Sequence, residues 1–305
     1  MIYTLTLSPC LDYVMEVPEL RFGRVNRAAD AHLRPGGKGL NVSILLSRFG
    51  IPNLALGFAA GFTGIEMERM LQNEGCQTAF IRLPEGISRI NVKIEGTQAA
   101  EINAEGPPVP VEACEELMER LRELEDGDTL VLAGNIPKSL PQDLYEQILR
   151  QTDGRALRSV VDTTGEALQM ALAHRPFLIK PNHLELGELF EVDVNRPDEV
   201  ELYARRLQDM GARNVLVSMA ERGALLLDET GKVHRALPPQ GQVRSAVGSG
   251  DSMVAGFLAG FERTGDYALA LKLGIAAGSA TAFSPWLAEV RDIRALLERP
   301  EAFGL

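Results

Sequence analysis

Residues 129–162 read TLVLAGNIPKSLPQDLYEQILRQTDGRALRSVVD: a short apolar run, Thr129–Ala133, then a helical pattern over Leu140–Gln151, then a second apolar run, Ser159–Asp162. Runs this short and continuously apolar predict strands buried on both faces. A helix between two of them predicts parallel strands, because parallel neighbours need a crossover connection. Pro141 is expected in the first helical turn, where its missing N–H costs nothing. The alternation extends both ways. Ile2–Leu7, Leu54–Phe58, Phe177–Ile179, Asn214–Ser218 and Ala224–Leu227 are further strand candidates, and Val111–Glu125, entered after Pro110, and Glu199–Met210 are helical. The pattern predicts an α/β fold with a mainly parallel sheet flanked by helices on both faces. Near the C-terminus, Gly250–Arg263 and Tyr267–Ser284 are two helical patterns rich in small residues, expected to pack closely against one another or the sheet.

Two stretches break the alternation. Tyr13–Leu33 and Arg89–Ile102 are strand-like and partly polar, and Arg89, Asn91 and Lys93 recur at a period of two, so they project from one face of a strand. The two stretches are read as a small sheet standing off the main domain, with a pair of surface loops as the alternative. No internal repeat or linker appears, so residues 1–305 are read as one domain with a smaller appendage.

Composition narrows the function. The formal charge of -11, with no basic run, argues against nucleic-acid or anionic-lipid partners. An anionic ligand would then be held by a few local cations and backbone amides. No window approaches a membrane span, and the opening MIYTLTLSPC lacks the basic segment of a signal peptide, so a cytoplasmic address is expected. Cys10, Cys76 and Cys114 have no metal-ligand or redox spacing and read as free thiols of a reducing compartment, and the four histidines are scattered.

Three motifs carry chemistry. Gly248-Ser249-Gly250-Asp251 leads directly into the apolar pattern Met253, Val254, Phe257, Leu258. The glycines let amides turn inward at a helix N-terminus that suits a phosphate, and Asp251 is then placed to accept the proton of an attacking hydroxyl. Alternatively, Asp251 caps the helix and the glycines make a turn. Gly36-Gly37-Lys38-Gly39-Leu40-Asn41 also precedes a helical pattern; Lys38 and Asn41 offer a charge and an amide for sugar hydroxyls or a phosphate, although the spacing is not that of a P-loop. Lys180-Pro181-Asn182-His183-Leu184-Glu185 follows a strand candidate. Asn182 and Glu185 have oxygens suited to magnesium, directly or through water, or else they form a helix capping box. His183 is read as a bystander.

These motifs, with Tyr3–Pro9 and Leu11-Asp12-Tyr13, RINVKI at 89–94, AGNIPKSLP at 133–141, KPN at 180–182 and VGSGDSMVAGF at 247–257, closely resemble the ribokinase-like (PfkB) carbohydrate kinases, and within them the bacterial 1-phosphofructokinases. The resemblance runs over nearly the whole chain. It implies a three-layer ribokinase-like fold with a small β-sheet lid from segments near 12–34 and 88–104, and a homodimer formed through the lid. It implies ATP and magnesium as cofactors and a sugar phosphate as substrate. Asp251 matches the catalytic base, with Gly248, Ser249 and Gly250 as the anion hole. Asp12, Gly36, Gly37 and Asn41 match positions that hold the sugar. Lys38 and Arg89 match cationic positions near its phosphate, with Asn91, Lys93 and Arg27 as further candidates. Asn182 and Glu185 match the element that organises magnesium and the ATP phosphates. Ser218, Ala220 and Gly223 match the turn beside the nucleotide, and Ser279, next to Gly278, lies on the helix flanking the adenosine.

Ser249 replaces an alanine common in the family, a small change where backbone amides do the binding, and Asn135 stands where many members have serine and is expected to contact the sugar. The RINVKI segment favours fructose 1-phosphate, phosphorylated at C6, over tagatose 6-phosphate; a 6-phosphofructokinase of the same family is a third reading. A noncatalytic sugar-phosphate sensor is the rival from another class, and the retained Asp12, Lys38, Asn41 and Asp251 argue against it.

Overall fold

A computed structural model describes residues 1–194, 196–303 and 305. In chain order the strands are β1 Ile2–Thr6, β2 Cys10–Glu16, β3 Asp30–Gly36, β4 Asn53–Ala60, β5 Gln77–Leu83, β6 Arg89–Glu95, β7 Ala100–Ile102, β8 Thr129–Ala133, β9 Arg158–Asp162, β10 Leu178–Ile179, β11 Asn214–Ser218, β12 Ala224–Leu227 and β13 Val233–Ala236. The helices are α1 Lys38–Arg48, α2 Gly61–Asn73, α3 Val111–Arg122, α4 Leu144–Thr152, α5 Gly165–Leu172, α6 His183–Phe190, α7 Pro197–Asp209, α8 Ser249–Thr264, α9 Tyr267–Phe283 and α10 Val290–Ala295.

Nine strands form the main sheet in the order β13-β12-β11-β10-β9-β8-β1-β4-β5. From β11 to β5 every pairing is parallel, while β11–β12 and β12–β13 are antiparallel. The sheet is buried on both faces because successive strand residues serve opposite cores. Val131, Val160 and Leu216 pack with α1, α8 and α9, whereas Leu132, Val161 and Val217 pack with the helices α3, α4 and α7. Each fully buried aliphatic side chain of this kind contributes about 1.5–3 kcal/mol. The result is a three-layer α/β fold.

Chain order places the ligand crevice. From β1 the main sheet grows through β4 to β5 on one side and resumes at β8 on the other. Connections diverge there and leave a gap at the carboxyl ends of the strands. Thr6, Ala133, Asp162, Lys180 and Ser218, at or just past the ends of β1, β8, β9, β10 and β11, all line one cleft.

The irregular stretches form a second sheet, β3-β2-β6-β7. Between β2 and β3, residues 17–29 make no strand, and Phe22 and Val25 on that loop are each 88% exposed. Two sequence expectations shift. Helix α4 begins at Leu144 rather than near Pro141, because the Leu144 amide donates to the Pro141 carbonyl at 3.0 Å and closes a separate turn first. Helix α3 stops at Arg122, and Asp128 Oδ2 accepts the Glu125 amide at 2.8 Å in the turn that follows.

The small residues of α8 and α9 let the two helices touch. A Cβ on Gly256 would lie 2.7 Å from the Leu273 carbonyl oxygen and 2.9 Å from Gly274 Cα, and one on Gly278 would lie 2.9 Å from the Ser249 carbonyl oxygen. These contacts fix the N-terminus of α8. Gly256→Ala is therefore expected to destabilise the fold by about 1–3 kcal/mol, read as a lower urea midpoint; an unchanged midpoint would show that the interface is loose.

Candidate active site

The cleft at the strand ends holds about 1690 Å³, well above the 300–1,000 Å³ or so of a site for one small ligand. It has room for two.

Asp251 sits in the first turn of α8 and is buried. Gly248, at the N-cap, has φ 77°, and a Cβ there would also meet Leu287 Cδ2 at 2.8 Å, so the turn requires glycine. The Ser249 amide donates to the Ala246 carbonyl at 3.3 Å, whereas the amides of Gly248, Gly250 and Asp251 have no partner among the described residues. Free donors at a helix N-terminus make an anion cradle. Asn41, on α1, donates through Nδ2 to Asp251 Oδ2 at 2.7 Å, joining the two glycine motifs that the sequence separates by 210 positions.

Charges surround this pair. Lys38 Nζ lies 3.3 Å and Lys180 Nζ 3.5 Å from Asp162 Oδ1. Burial raises the Asp251 carboxyl and nearby Asp162 raises it further; the Asn41 hydrogen bond, Lys38 and Lys180 pull the other way, and the group is left pushed up to about 6. Burial alone would lower the Lys38 ammonium, but Asp162, Asp251 and Glu185 outweigh it, so Lys38 titrates above its usual range and stays charged. The site thus holds a carboxylate poised to take a proton near neutral pH.

The second sheet supplies the other wall. Register pairs Asp12 with Asn91 and with Arg34 across β6, β2 and β3. Asp12 Oδ1 accepts from Asn91 Nδ2 at 3.0 Å, and Lys93 Nζ lies 3.0 Å from Asp12 Oδ2. Gly36 leaves space for this cluster, since a Cβ there would sit 2.8 Å from Asp12 Oδ2. Gly37 turns the chain into α1 at φ 128°. Arg89 donates to the Ser8 carbonyl at 3.2 Å and to Asn91 Oδ1 at 3.1 Å. Of the cleft-lining cations Lys38, Arg89, Lys93, Lys138 and Lys180, only Arg89 makes no ion pair among the described residues. Burial, with Asp12 beside it, pushes the Cys10 thiol up to about 12, so it stays protonated. Arg27 is exposed on the 17–29 loop and does not line the cleft, whereas Asn135 is exposed at the cleft edge.

Asn182 and Glu185 form the capping box of α6: Asn182 Oδ1 accepts the Leu184 and Glu185 amides at 2.8 and 2.9 Å, and Glu185 Oε2 accepts the Asn182 amide at 2.8 Å. Capping leaves Glu185 Oε1 uncommitted among the described residues, and both side chains line the cleft. No group of three or more His, Cys, Asp or Glu gathers as a metal site among the described residues. An oxygen-seeking ion that keeps water and shares substrate phosphates fits such a sparse donor set. Ser218, Ala220 and Gly223 line the far end of the cleft in a tight turn, with Ala220 at φ 50° and Gly223 at φ 85°, and Ser279 faces it from α9. The 237–246 loop, which the sequence reading left unassigned, also lines the cleft.

The sequence reading also missed Asp162 and assigned Lys180 no role. The available signal was position: each stands at or just past the carboxyl end of an apolar strand.

An anion cradle facing a desolvated carboxylate, in a cleft with room for two ligands, is the equipment of a phosphotransferase. The profile of the pfkB family carbohydrate kinases matches residues 5–289, and the chain belongs to this family. A 1-phosphofructokinase of Bacillus subtilis is 43% identical over 97% of both chains. A D-tagatose-1-phosphate kinase of Bacillus licheniformis is 36% identical over 96% of both. The Escherichia coli phosphofructokinase-2 in complex with substrates and products superposes with a TM-score of 0.91 at 29% identity, over 97% of both chains.

The elevated Asp251 pKa carries a stability consequence. A carboxyl whose folded pKa exceeds its unfolded value favours the fold while protonated, and that contribution is lost as pH rises toward about 6. Asp251→Asn should therefore unfold at higher urea than wild type at pH 7, with the advantage gone below about pH 4. Equal midpoints at pH 7 would mean that Asp251 is solvated.

Proposed function

We propose that this kinase transfers the γ-phosphoryl group of ATP to the C6 hydroxyl of fructose 1-phosphate. The observation that carries the reading is the buried Asp251 carboxylate, held by Asn41 at 2.7 Å beside amides that have no partner among the described residues, in the same cleft as Arg89, which makes no ion pair among them. The B. subtilis relative's name supports the choice of sugar.

In this reading Asp251 takes the proton of the C6 hydroxyl as its oxygen forms the new bond to phosphorus. The bond to the bridging oxygen breaks, and ADP leaves with that electron pair. The amides of Gly248, Gly250 and Asp251 bind the equatorial oxygens, and Ser218, Ala220, Gly223 and Ser279 line the nucleotide's end. Asp12, Gly36, Gly37, Asn41, Asn91 and Asn135 orient the sugar; Arg89, supported by Lys38 and Lys93, faces its phosphate. Asn182 and Glu185 would hold magnesium, directly or through water, and the ion would neutralise phosphate charge.

D-tagatose 1-phosphate, which differs from fructose 1-phosphate in configuration at C4, is the second reading, favoured by the B. licheniformis relative. Rates with fructose 1-phosphate, tagatose 1-phosphate, tagatose 6-phosphate and fructose 6-phosphate decide the matter. Fructose 1-phosphate is expected to give the highest kcat/KM, and a higher value with any other sugar would displace it. Asp251→Asn should lower turnover about 100- to 10,000-fold with sugar binding kept, whereas Arg89→Ala should raise KM for the sugar phosphate more than it lowers kcat. Normal turnover by Asp251→Asn would remove the carboxylate from the mechanism.

The small sheet is proposed as the lid over the sugar and as the contact between two copies. Register puts Leu33, Tyr13, Val92 and Ile102 in one row across β3, β2, β6 and β7, on the face opposite Asp12 and Asn91. Leu33 is 40%, Tyr13 37% and Ile102 61% exposed. An apolar sheet face left to water favours pairing. Sedimentation should give a dimer for the wild type and a monomer for a Tyr13→Glu, Leu33→Glu variant; a wild-type monomer would rule the contact out.

A further inference from the structure

The AGNIPKSLP segment at 133–141 gives Asn135 to the mechanism above but leaves Lys138 without a task. The backbone around Lys138 is fixed: the Pro137 carbonyl accepts the Leu140 amide at 3.0 Å and Gln142 Nε2 at 3.1 Å, and Leu140 is buried. By contrast, the Lys138 side chain lines the cleft with 91% of its surface exposed. Its Nζ lies 3.2 Å from Glu105 Oε1, on a side chain that is itself 84% exposed.

Glu105 belongs to a strap, residues 103–108, that follows β7 along the rim of the cleft and passes beside Arg89. The Ala104 amide donates to Asn91 Oδ1 at 3.3 Å, and the same oxygen takes Arg89 Nη1 at 3.1 Å. One residue beyond Glu105, a Cβ on Gly106 would lie 3.4 Å from Ser8 Oγ, and the Ser8 carbonyl takes Arg89 Nε at 3.2 Å. Pro107 and Pro108 stiffen the end of the strap. The Glu105–Lys138 pair therefore stands near the guanidinium assigned to the sugar's phosphate.

A phosphate monoester carries about 1.5–2 negative charges at neutral pH, and Arg89 matches one of them. The rest needs a cation that changes partners easily. Lys93 and Asp12 form a pair only 16% and 14% exposed, and Lys38 and Lys180 both lean on Asp162, which is 3% exposed. Drawing any of these cations away would weaken the pairing of a buried or largely buried carboxylate, which is strongly unfavourable. An ion pair in water, such as Glu105–Lys138, is worth little, and a released Glu105 simply turns to solvent.

We propose that Lys138 is a specificity-determining residue, whose ammonium exchanges Glu105 for the phosphate of the bound sugar and, with Arg89, selects a phosphorylated sugar over an unphosphorylated one. Glu105 competes with that phosphate and keeps the cation at the rim until the sugar arrives. The inference rests on the kinase reading of the same cleft and names the second cation of its sugar-phosphate end.

The test is calorimetric titration with fructose 1-phosphate, with ADP as the control ligand, alongside steady-state kinetics. Lys138→Met should weaken fructose 1-phosphate binding about 5- to 30-fold and raise its KM by a similar factor, a larger change than in kcat or in ADP affinity. Its preference for fructose 1-phosphate over fructose should fall by the same factor. Lys138→Arg, which keeps the charge, should recover most of the loss.

Glu105→Gln should act in the opposite sense and bind fructose 1-phosphate about two- to fivefold more tightly. In a Lys138→Met background that gain should vanish, because Glu105 acts through the ammonium. An ion pair that merely fastened the strap would make both single variants weaker together. Lys138→Met binding fructose 1-phosphate as tightly as wild type, or Glu105→Gln binding it no more tightly, overturns the inference and leaves the kinase reading in place. A wild type that phosphorylates none of the four sugar phosphates named above overturns that reading itself.

Discussion

Everything in the cleft depends on a carboxylate being kept nearly dry while one amide donor holds it still. Asp251 Oδ2 and Asn41 Nδ2 meet at 2.7 Å only because α1 and α8 direct their first turns at the same point. Lose that meeting, and the carboxylate is no longer held still; lose its burial, and Asp251 becomes an ordinary acid that is a poor base at neutral pH. Glycine makes the approach possible at both ends, through left-handed Gly248 and through the contact of Gly278 with the Ser249 carbonyl. The closeness of α8 and α9 is therefore part of the chemistry.

The sheet brings the rest together at little cost. Parallel strands end at one edge, so residues far apart in sequence need only stand at or just past strand ends to meet: Thr6, Ala133, Asp162, Lys180 and Ser218 do so. The second sheet works differently. Its strands form a wall of the cleft, and the period of two gives them a cleft face, with Asp12, Asn91 and Lys93, and an outer face, with Tyr13, Leu33 and Ile102. The same alternation that points a polar row into the cleft leaves an apolar row outside.

Much of this was legible in the sequence, for a physical reason. Strands buried on both faces must be continuously apolar, and a left-handed turn position such as 248 must be glycine, so both are visible as residue types. Charge networks are not, because a lone Asp162 or Lys180 looks the same whether it meets solvent or another charge 18 residues away in sequence. Asn182 and Glu185 illustrate a further ambiguity. The capping box that the sequence offered as the alternative to a magnesium role is present, and it leaves one Glu185 oxygen uncommitted among the described residues, so the two readings are compatible. The shift of α4 past Pro141 came from a turn that no periodicity encodes.

The most direct test of the account is a crystal structure with ADP, aluminium fluoride and fructose 1-phosphate bound together. The account predicts the fluoride complex within hydrogen-bond reach of the Gly248, Gly250 and Asp251 amides, and the sugar's C6 oxygen about 3 Å from the Asp251 carboxylate. A nucleotide seated away from the start of α8, or a C6 oxygen nearest some other side chain, would contradict it.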